Sequence, residues 1–467
     1  MKNCSLLPCL LCALLLTAPG NCLAAAKSGA ASAAASNAAS SGGVKVVKDK
    51  TATAGSYTMP AAVNRALKHN PGLGAQSAQS MSSEEGRKSA RGAFGPKLGA
   101  VYQVNKQVRK SSPATNRPPE LGTYSAGVEI SQPVFQGFRL LANYQKAALK
   151  ADSDKASLRQ AELAMTEKVQ TNFVNYLRAI EDIRSKQEQL ERLRDQLRIT
   201  TAFYDVGLRP KLDVLQAQVD VSNAESTLIS AENTRETTLA MLNTLLGLDA
   251  TAQVGYTGQL APVPFRRNLE QCLEAAYRQR PDLDVAAKAV AMAKKDQRVV
   301  QSDYYPKVEA YYNISGTGNA PDLREAGNRG SRGTTWEVGA KASWDVFQWG
   351  TTYYADQQAG HLVTRMRHEE EDLKLNVGYD VKSKLLALRE AGKRISVGER
   401  GLAQAREAYR VALASYQEQV GTNFDVLDAS SKLTAAEVTL TSAKADYLVA
   451  LAQMYVSMGE FHPDLLR

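Results

Sequence analysis

The chain reads Val206-Gly207-Leu208-Arg209-Pro210-Lys211-Leu212-Asp213-Val214-Leu215, and later Val420-Gly421-Thr422-Asn423-Phe424-Asp425-Val426-Leu427. One turn and one helix start are thus written twice. Working outward, Asn70-Pro71 recurs as Arg280-Pro281, and Pro96-Lys97 as Pro306-Lys307, both at a shift of 210. Phe135-Gln136 recurs as Phe347-Gln348, Asp213-Val214-Leu215 as Asp425-Val426-Leu427, and Gly247 as Gly459, all at 212. Val206-Gly207 aligns with Val420-Gly421 at 214, which places a two-residue gap between Gly421 and Asp425. A period this long is one module duplicated in tandem, not a solenoid of small repeats.

Each half carries the pattern of very long helices. From Gly137 to Tyr204 there is no proline and no further glycine, and Val169, Tyr176, Ile183, Leu190, Leu197 and Tyr204 fall seven apart. Val381, Leu388, Ile395, Leu402, Tyr409 and Tyr416 repeat the seam. Such a heptad predicts helices that interlock side by side, and nearly 70 helical residues would reach on the order of 100 Å. Val214, Val221, Leu228 and Leu242 continue the pattern in a returning helix, as do Val426, Leu433, Leu440, Tyr447 and Met454. Ala75–Phe94 and Asp284–Tyr305, each after a short helix ending at Asn70 or Arg280, supply the other half-length.

Between early and long helices lie four alternating segments. Leu98, Ala100, Tyr102 and Val104 oppose Gln103, Asn105 and Gln107; Tyr124, Ala126, Val128 and Ile130 oppose Ser125, Glu129 and Ser131. Val308, Ala310, Tyr312 and Ile314 oppose Glu309, Asn313 and Ser315. Trp336, Val338, Ala340, Ala342, Trp344 and Val346 oppose Glu337, Lys341, Ser343 and Asp345. About ten residues per strand, apolar outside and polar inside, is the pattern of an outer-membrane barrel. The polar loops Lys110–Gly122 and Gly316–Gly333 suit the exterior. An open sheet edge cannot sit in lipid, and four strands cannot close a barrel, so several copies must contribute to one ring.

The termini and composition agree with an exported chain. Lys2 and the apolar run Leu6–Leu16 read as a signal peptide over residues 1–24, with cleavage as late as 26. No lipobox precedes Cys22, and residues 25–56 form an Ala/Ser-rich disordered leader. The first repeat is then 57–247, the linker 248–267, the second repeat 268–460 and the tail 461–467. Cys4, Cys9, Cys12 and Cys22 fall in the signal, so only Cys272 remains, read as a buried apolar-face residue. No intrachain disulfide or Cys metal cluster is expected. The formal charge of +9 is interleaved along helical faces, which reads as a solvated surface and not a nucleic-acid footprint. His69, His361, His368 and His462 lack metal spacing, and no nucleophile elbow, phosphate loop or zinc motif appears. The chain is therefore read as a non-enzyme, without catalytic residues, cofactor or metal.

On these features together the chain resembles the TolC family of outer-membrane efflux proteins over about Tyr57 to Glu460. The resemblance implies a mainly α fold with a β-barrel portion, four transmembrane strands and very long coiled-coil helices per chain. It implies a homotrimer in the cell outer membrane with a periplasmic tunnel, and an equatorial belt of the short helices near Pro60–Asn70 and Asn268–Gln279 with the C-terminal tail. It further implies passive export of small molecules or polypeptides, once docked to a periplasmic adaptor and an inner-membrane pump or ATP-driven (ABC) exporter, as in tripartite efflux and type I secretion.

Carried over residue by residue, Val206, Gly207, Leu208, Arg209, Val420, Gly421 and Thr422 are the adaptor-docking turns. The same residues also read as plain turn chemistry, with Gly207 and Gly421 ending helices in a left-handed conformation and Pro210 opening the next. Asp425 and Asp428 match a pair of aspartates lining the closed mouth, and Asp213 reads as a carboxylate complementing its helix dipole or as a further gate hydrogen-bond partner. At i, i+3 they share a helix face and three copies would form acidic rings. The other reading is that first-turn carboxylates complement the helix dipole. Asn423 stands where some members carry a gate arginine, and Glu418 where they carry a tyrosine; Tyr416 lies two residues further back. The alternative function is a periplasmic coiled-coil adaptor without a pore, which leaves four barrel-type strands unexplained.

Overall fold

Asn70-Pro71 shows how directly the elements follow from sequence. Proline fixes the first helical φ and has no N–H to leave unpaired. The Asn70 side chain accepts from the backbone N–H groups of Gly72 and Leu73 at 2.8 and 3.3 Å. The computed structural model describes residues 56–108, 120–318, 321, 323, 333–462 and 465. The expected signal segment, nearly all of the leader and most of both strand–strand loops lie outside the described residues.

The first half runs β1 (Ser56–Tyr57), α1 (Met59–His69), α2 (Pro71–Gly92), β2 (Lys97–Val108), β3 (Glu120–Gln136), α3 (Arg139–Asp205) and α4 (Lys211–Leu245). After a linker holding β4 (Gly255–Tyr256), the second half runs α5 (Leu269–Gln279), α6 (Pro281–Gln301), a 3-10 turn Ser302–Tyr304, β5 (Lys307–Gly318), β6 (Gly333–Ser343), α7 (Thr351–Gln417) and α8 (Asn423–Ser457). The early helices begin four and three residues before the positions expected for them, because each proline starts a helix. Trp344 and Val346, expected in the last strand, follow its end at Ser343; the Trp344 indole instead donates to the Tyr304 carbonyl at 3.2 Å.

The duplication is regular where the sequence alignment placed a gap. α3 and α7 begin and end 212 residues apart, as do α4 and α8. The turns Val206–Pro210 and Glu418–Thr422 are therefore of equal length, and the expected two-residue gap between Gly421 and Asp425 does not exist. β2 and β5 stand 210 apart, and Leu98 pairs with Ile130 as Val308 pairs with Ala342. The two extra residues thus fall between β5 and β6, in a surface connection of the kind that tolerates changes in length.

The sheet has the order β2-β3-β5-β6, all antiparallel. Its register collects the alternating residues onto two unlike faces. Ala100 lies opposite Val128, which lies opposite Ile314, which lies opposite Trp336. The other face aligns Gly99 with Glu129, Asn313 and Glu337. On the apolar face Leu98, Tyr102, Trp336 and Val338 are exposed, so among the described residues no element covers it. Among the described residues no helix is long and apolar enough to cross a membrane; the sheet is the apolar layer.

Each long helix has 67 residues, on the order of 100 Å. α3 packs against α2 and α4 and also against α6 and α8; α7 packs along α6 and α8. The core lies mid-length, where α1, α5 and the ends of α4 and α8 wrap the middles of α3 and α7. Met59, Val63, Phe173, Leu242, Leu448 and Met454 are fully enclosed there, and Tyr256 from β4 stacks edge-on with Phe173 and Tyr176. Leu465 of the tail joins the cluster. Cys272 is buried in it, and burial pushes its thiol pKa up. The heptad seam weakens away from this belt: Val169 is enclosed but Tyr204 is 40 % exposed. A straight helix drifts about 20° per heptad from a 3.5 repeat, so the α3 stripe turns out of contact towards its end, whereas Tyr416 at the end of the α7 seam is buried.

Phe173→Ala removes a large enclosed ring from this belt and is expected to cost about 3–5 kcal/mol. Thermal unfolding followed by circular dichroism of the purified protein should show a clear fall in midpoint.

Candidate functional site at the hairpin tips

The end of α3 is closed by a left-handed cap. Gly207 has φ +78°, Leu208 N–H donates to Phe203 O at 2.8 Å, and Gly207 N–H to Tyr204 O at 2.9 Å. This pairing satisfies the last helical carbonyls and needs a residue at positive φ, which glycine adopts freely. The second tip repeats the pairing one-to-one: Val420 N–H donates to Ser415 O at 3.0 Å and Gln419 N–H to Tyr416 O at 3.1 Å. The left-handed residue there is Gln419, φ +63°, and not Gly421 as expected. Gly421 serves another need: a Cβ on it would stand 3.1 Å from both the Ser415 Cβ and the Tyr416 nitrogen. Pro210, with ψ 154°, is the N-cap of α4 and lies just outside its first turn.

The two tips are joined by buried polar groups that sequence reading did not pair. Gln196 Nε2 donates to Asn423 Oδ1 at 2.7 Å, and Thr200 Oγ1 stands 3.1 Å from the Tyr416 hydroxyl and 3.3 Å from Asn423 Oδ1. Asn423 Nδ2 donates to the Asp213 carbonyl at 3.3 Å. Arg209, expected at the docking surface, turns inward: its guanidinium donates to Gly421 O at 2.7 Å and lies 5.0 Å from the Tyr416 ring centre. One arginine thereby ties the first turn to the second, by a charged hydrogen bond and a cation–π contact.

Further up the α3–α8 seam the contact stays polar. Arg192 donates to Thr434 Oγ1 at 2.8 Å and lies 3.6 Å from Glu437. Arg192 Nε, Gln196 Oε1, Ser430 Oγ and Glu437 Oε2 are buried without a hydrogen-bond partner. By contrast Leu190, Leu193 and Ala224 knit α3 to α4, with Val221 and Leu228 of α4 and a single α8 residue, Leu427, packed against them. The α3–α8 seam is therefore the cheaper one to separate, since opening it wets groups that are under-satisfied when closed.

The expected gate carboxylates sit in local roles. Asp425 Oδ2 accepts from the Thr422 hydroxyl at 2.6 Å and backbone N–H at 3.0 Å, while its own N–H donates to Thr422 Oγ1. These bonds to the Thr422 side chain and backbone form a capping box and hold its carboxyl below the usual carboxylate range. Asp428 pairs with Lys432 at 2.7 Å, and Asp213 lies in the first turn of α4. Around them the rim is apolar: Val206, Leu208, Leu212, Val420 and Phe424 are all at least half exposed. Leu212 and Phe424 escaped the sequence reading, although an apolar residue two places into a helix after a polar turn was their signal. Among the described residues no group of three or more His, Cys, Asp or Glu is placed to hold a metal ion.

The architecture defines a class: a sheet fragment with one lipid-type face, carried on paired rods that end in tied hairpin turns. The sequence profile of the outer membrane efflux protein family matches residues 62–248 and 272–460, and the chain belongs to that family. It is 24 % identical over 418 residues to the outer membrane efflux protein BepC of Brucella suis, covering 88 % of this chain and 87 % of that protein. It is 23 % identical to the outer membrane protein TolC of Vibrio cholerae over 85 % of this chain and 89 % of that one. The crystal structure of the Campylobacter jejuni CmeC outer membrane channel matches with a TM-score of 0.76 at 16 % identity, over 86 % of this chain and 85 % of that one. The protein is an outer membrane efflux channel reaching into the periplasm, and family membership decides against the pore-less adaptor.

Tyr416→Phe removes one hydroxyl and leaves Thr200 without that partner; about 1–2 kcal/mol of tip closure should be lost. Arg209→Ala should act in the same direction. Either variant is expected to show longer open dwell times than the parent in planar-bilayer recordings.

Proposed function

We propose that three copies close into one channel, with twelve strands forming the barrel and the rods of all copies forming a periplasmic tube. The observation that carries this reading is a set of unpartnered surfaces that fit each other. β2 and β6 are open edges, and α7 lacks the cover that α3 has. Ala142, Leu163 and Val174 are buried on α3, whereas their counterparts Tyr354, Leu375 and Leu386 on α7 are 70, 75 and 55 % exposed. α4 exposes Val219, Ile229 and Met241. Placing the next copy so that its α2 and α4 meet α7 repeats the packing that α6 and α8 make with α3. The same operation pairs β6 with the next β2 and leaves no backbone unpaired in lipid.

In that ring the turns Val206–Pro210 and Glu418–Thr422 line the periplasmic mouth. Their exposed apolar residues are the surface for a periplasmic adaptor, itself coupled to an inner-membrane pump or ABC exporter. The channel performs no chemistry; docking supplies binding energy that favours a separated α3–α8 seam over the closed one. Asp425 and Asp428 of three copies form the acidic constriction that selects cations.

The register of β3 with β5 transfers to the seam between copies and places Lys341 opposite Gln103 of the neighbour, as Glu129 lies opposite Asn313. Gln103→Cys with Lys341→Cys should therefore oxidise to a ladder of one, two and three chains on a non-reducing gel. Only intrachain product, or rungs beyond three, would refute the ring. Asp425→Ala with Asp428→Ala should raise single-channel conductance and abolish block by divalent cations; unchanged block would place the acidic constriction elsewhere.

A further inference from the structure

A groove of about 380 Å³ opens where the barrel sheet meets the rods, between the start of α3 and the end of α6. Phe138, Leu141, Tyr304 and Tyr305 give it an apolar wall, and Lys295 and Arg298 line it with charge. Its position relative to the lipid face follows from the strand register. Phe135 lies opposite Val308 and so shares the apolar face. Its ring meets Phe138 edge-on at 5.3 Å and Tyr305 at 6.5 Å, and those two meet each other at 5.9 Å. The aromatic cluster therefore carries the lipid-facing surface without a break from the sheet into the groove. That places the groove at the depth where aromatic belts and snorkelling cations meet headgroups.

The charge there is uncompensated. Asp296 is paired with Lys146 at 2.6 Å, Asp303 is paired with both Arg139 and Lys307, and Asp356 accepts from Gln297 and Gln301. Among the described residues Lys295 and Arg298 form no ion pair, and Arg298 donates only to the Gln301 carboxamide at 3.2 Å. The duplicated half lacks the feature. Counterparts of Lys295 and Arg298 in α2 are Glu85 and Lys88, which neutralise each other at 2.8 Å. Two free cations beside an apolar wall suit an amphiphile with a phosphate at its head.

The geometry points to a binding site for a glycerophospholipid of the periplasmic leaflet, its phosphodiester held by Lys295 and Arg298 and an acyl chain laid on Phe138 and Leu141. The inference rests on the lipid-facing reading of the sheet, and it gives one site per chain and not two.

Native mass spectrometry of the purified channel titrated with dioleoyl phosphatidylglycerol tests it. The parent should retain one lipid per chain, and Lys295→Gln with Arg298→Gln should retain at least five-fold less at equal lipid. Inorganic phosphate at millimolar concentration should not displace the lipid. Equal retention by the variant, or displacement by phosphate, overturns the site. Should the variant fold poorly, a diazirine-bearing phosphatidylglycerol on the parent must label residues 137–145 or 295–305; labelling confined to other segments overturns it as well. Conductance in planar bilayers is measured alongside, so that failure to insert, which would sink the barrel itself, is told apart from loss of the lipid alone.

Discussion

Unpaired backbone at the two edges of the four-stranded sheet governs the rest of the structure. A membrane offers no water to satisfy the outer N–H and C=O groups of β2 and β6. The fold therefore works only when repeated around an axis, and the rods inherit that axis because α3 and α7 leave the sheet directly from β3 and β6. The bare flank of α7 and the exposed residues of α4 are the same demand expressed in side chains. Tyr354, Leu375 and Leu386 are exposed where their counterparts on α3 are buried, and in the proposed ring a neighbouring copy covers them.

Within one chain the cohesion is uneven. The mid-length belt is apolar and closely packed around Phe173, Leu448 and Met454, and it fixes the rods relative to one another. Towards the mouth the α3–α8 contact passes to Arg192, Gln196, Thr200, Asn423 and Glu437, with four buried polar atoms left unsatisfied. In the proposed ring, a tube pinned at its waist and joined by polar contacts at its tip would separate at the tip first. Arg209 limits that movement with a single charged tie across the two turns.

Much of this was legible because it is periodic. The alternation from Leu98 to Val104 and from Trp336 to Ala342 sets strands on the faces that the register shows, whereas Pro71 and Pro281 start helices that the apolar pattern alone places four and three residues later. What stayed hidden was pairing between residues more than 200 positions apart, such as Gln196 with Asn423 or Arg209 with Gly421, which no period records. The second turn misled for a local reason. Val-Gly recurs, but the shared backbone geometry puts Gln419 at positive φ and leaves Gly421 to relieve crowding against Ser415. Asp425 illustrates an intermediate case: Thr422-x-x-Asp425 has the spacing of a capping box, and the structure forms one.

The equal lengths of the arms carry a further consequence. Because α3 and α7 both have 67 residues and the turns that follow both have five, the tips descend to one common depth. In the proposed ring the mouth is then a level flange, on which the adaptor would seat without tilting. A single extra turn in one arm alone would offset its tip from the other by about 5 Å.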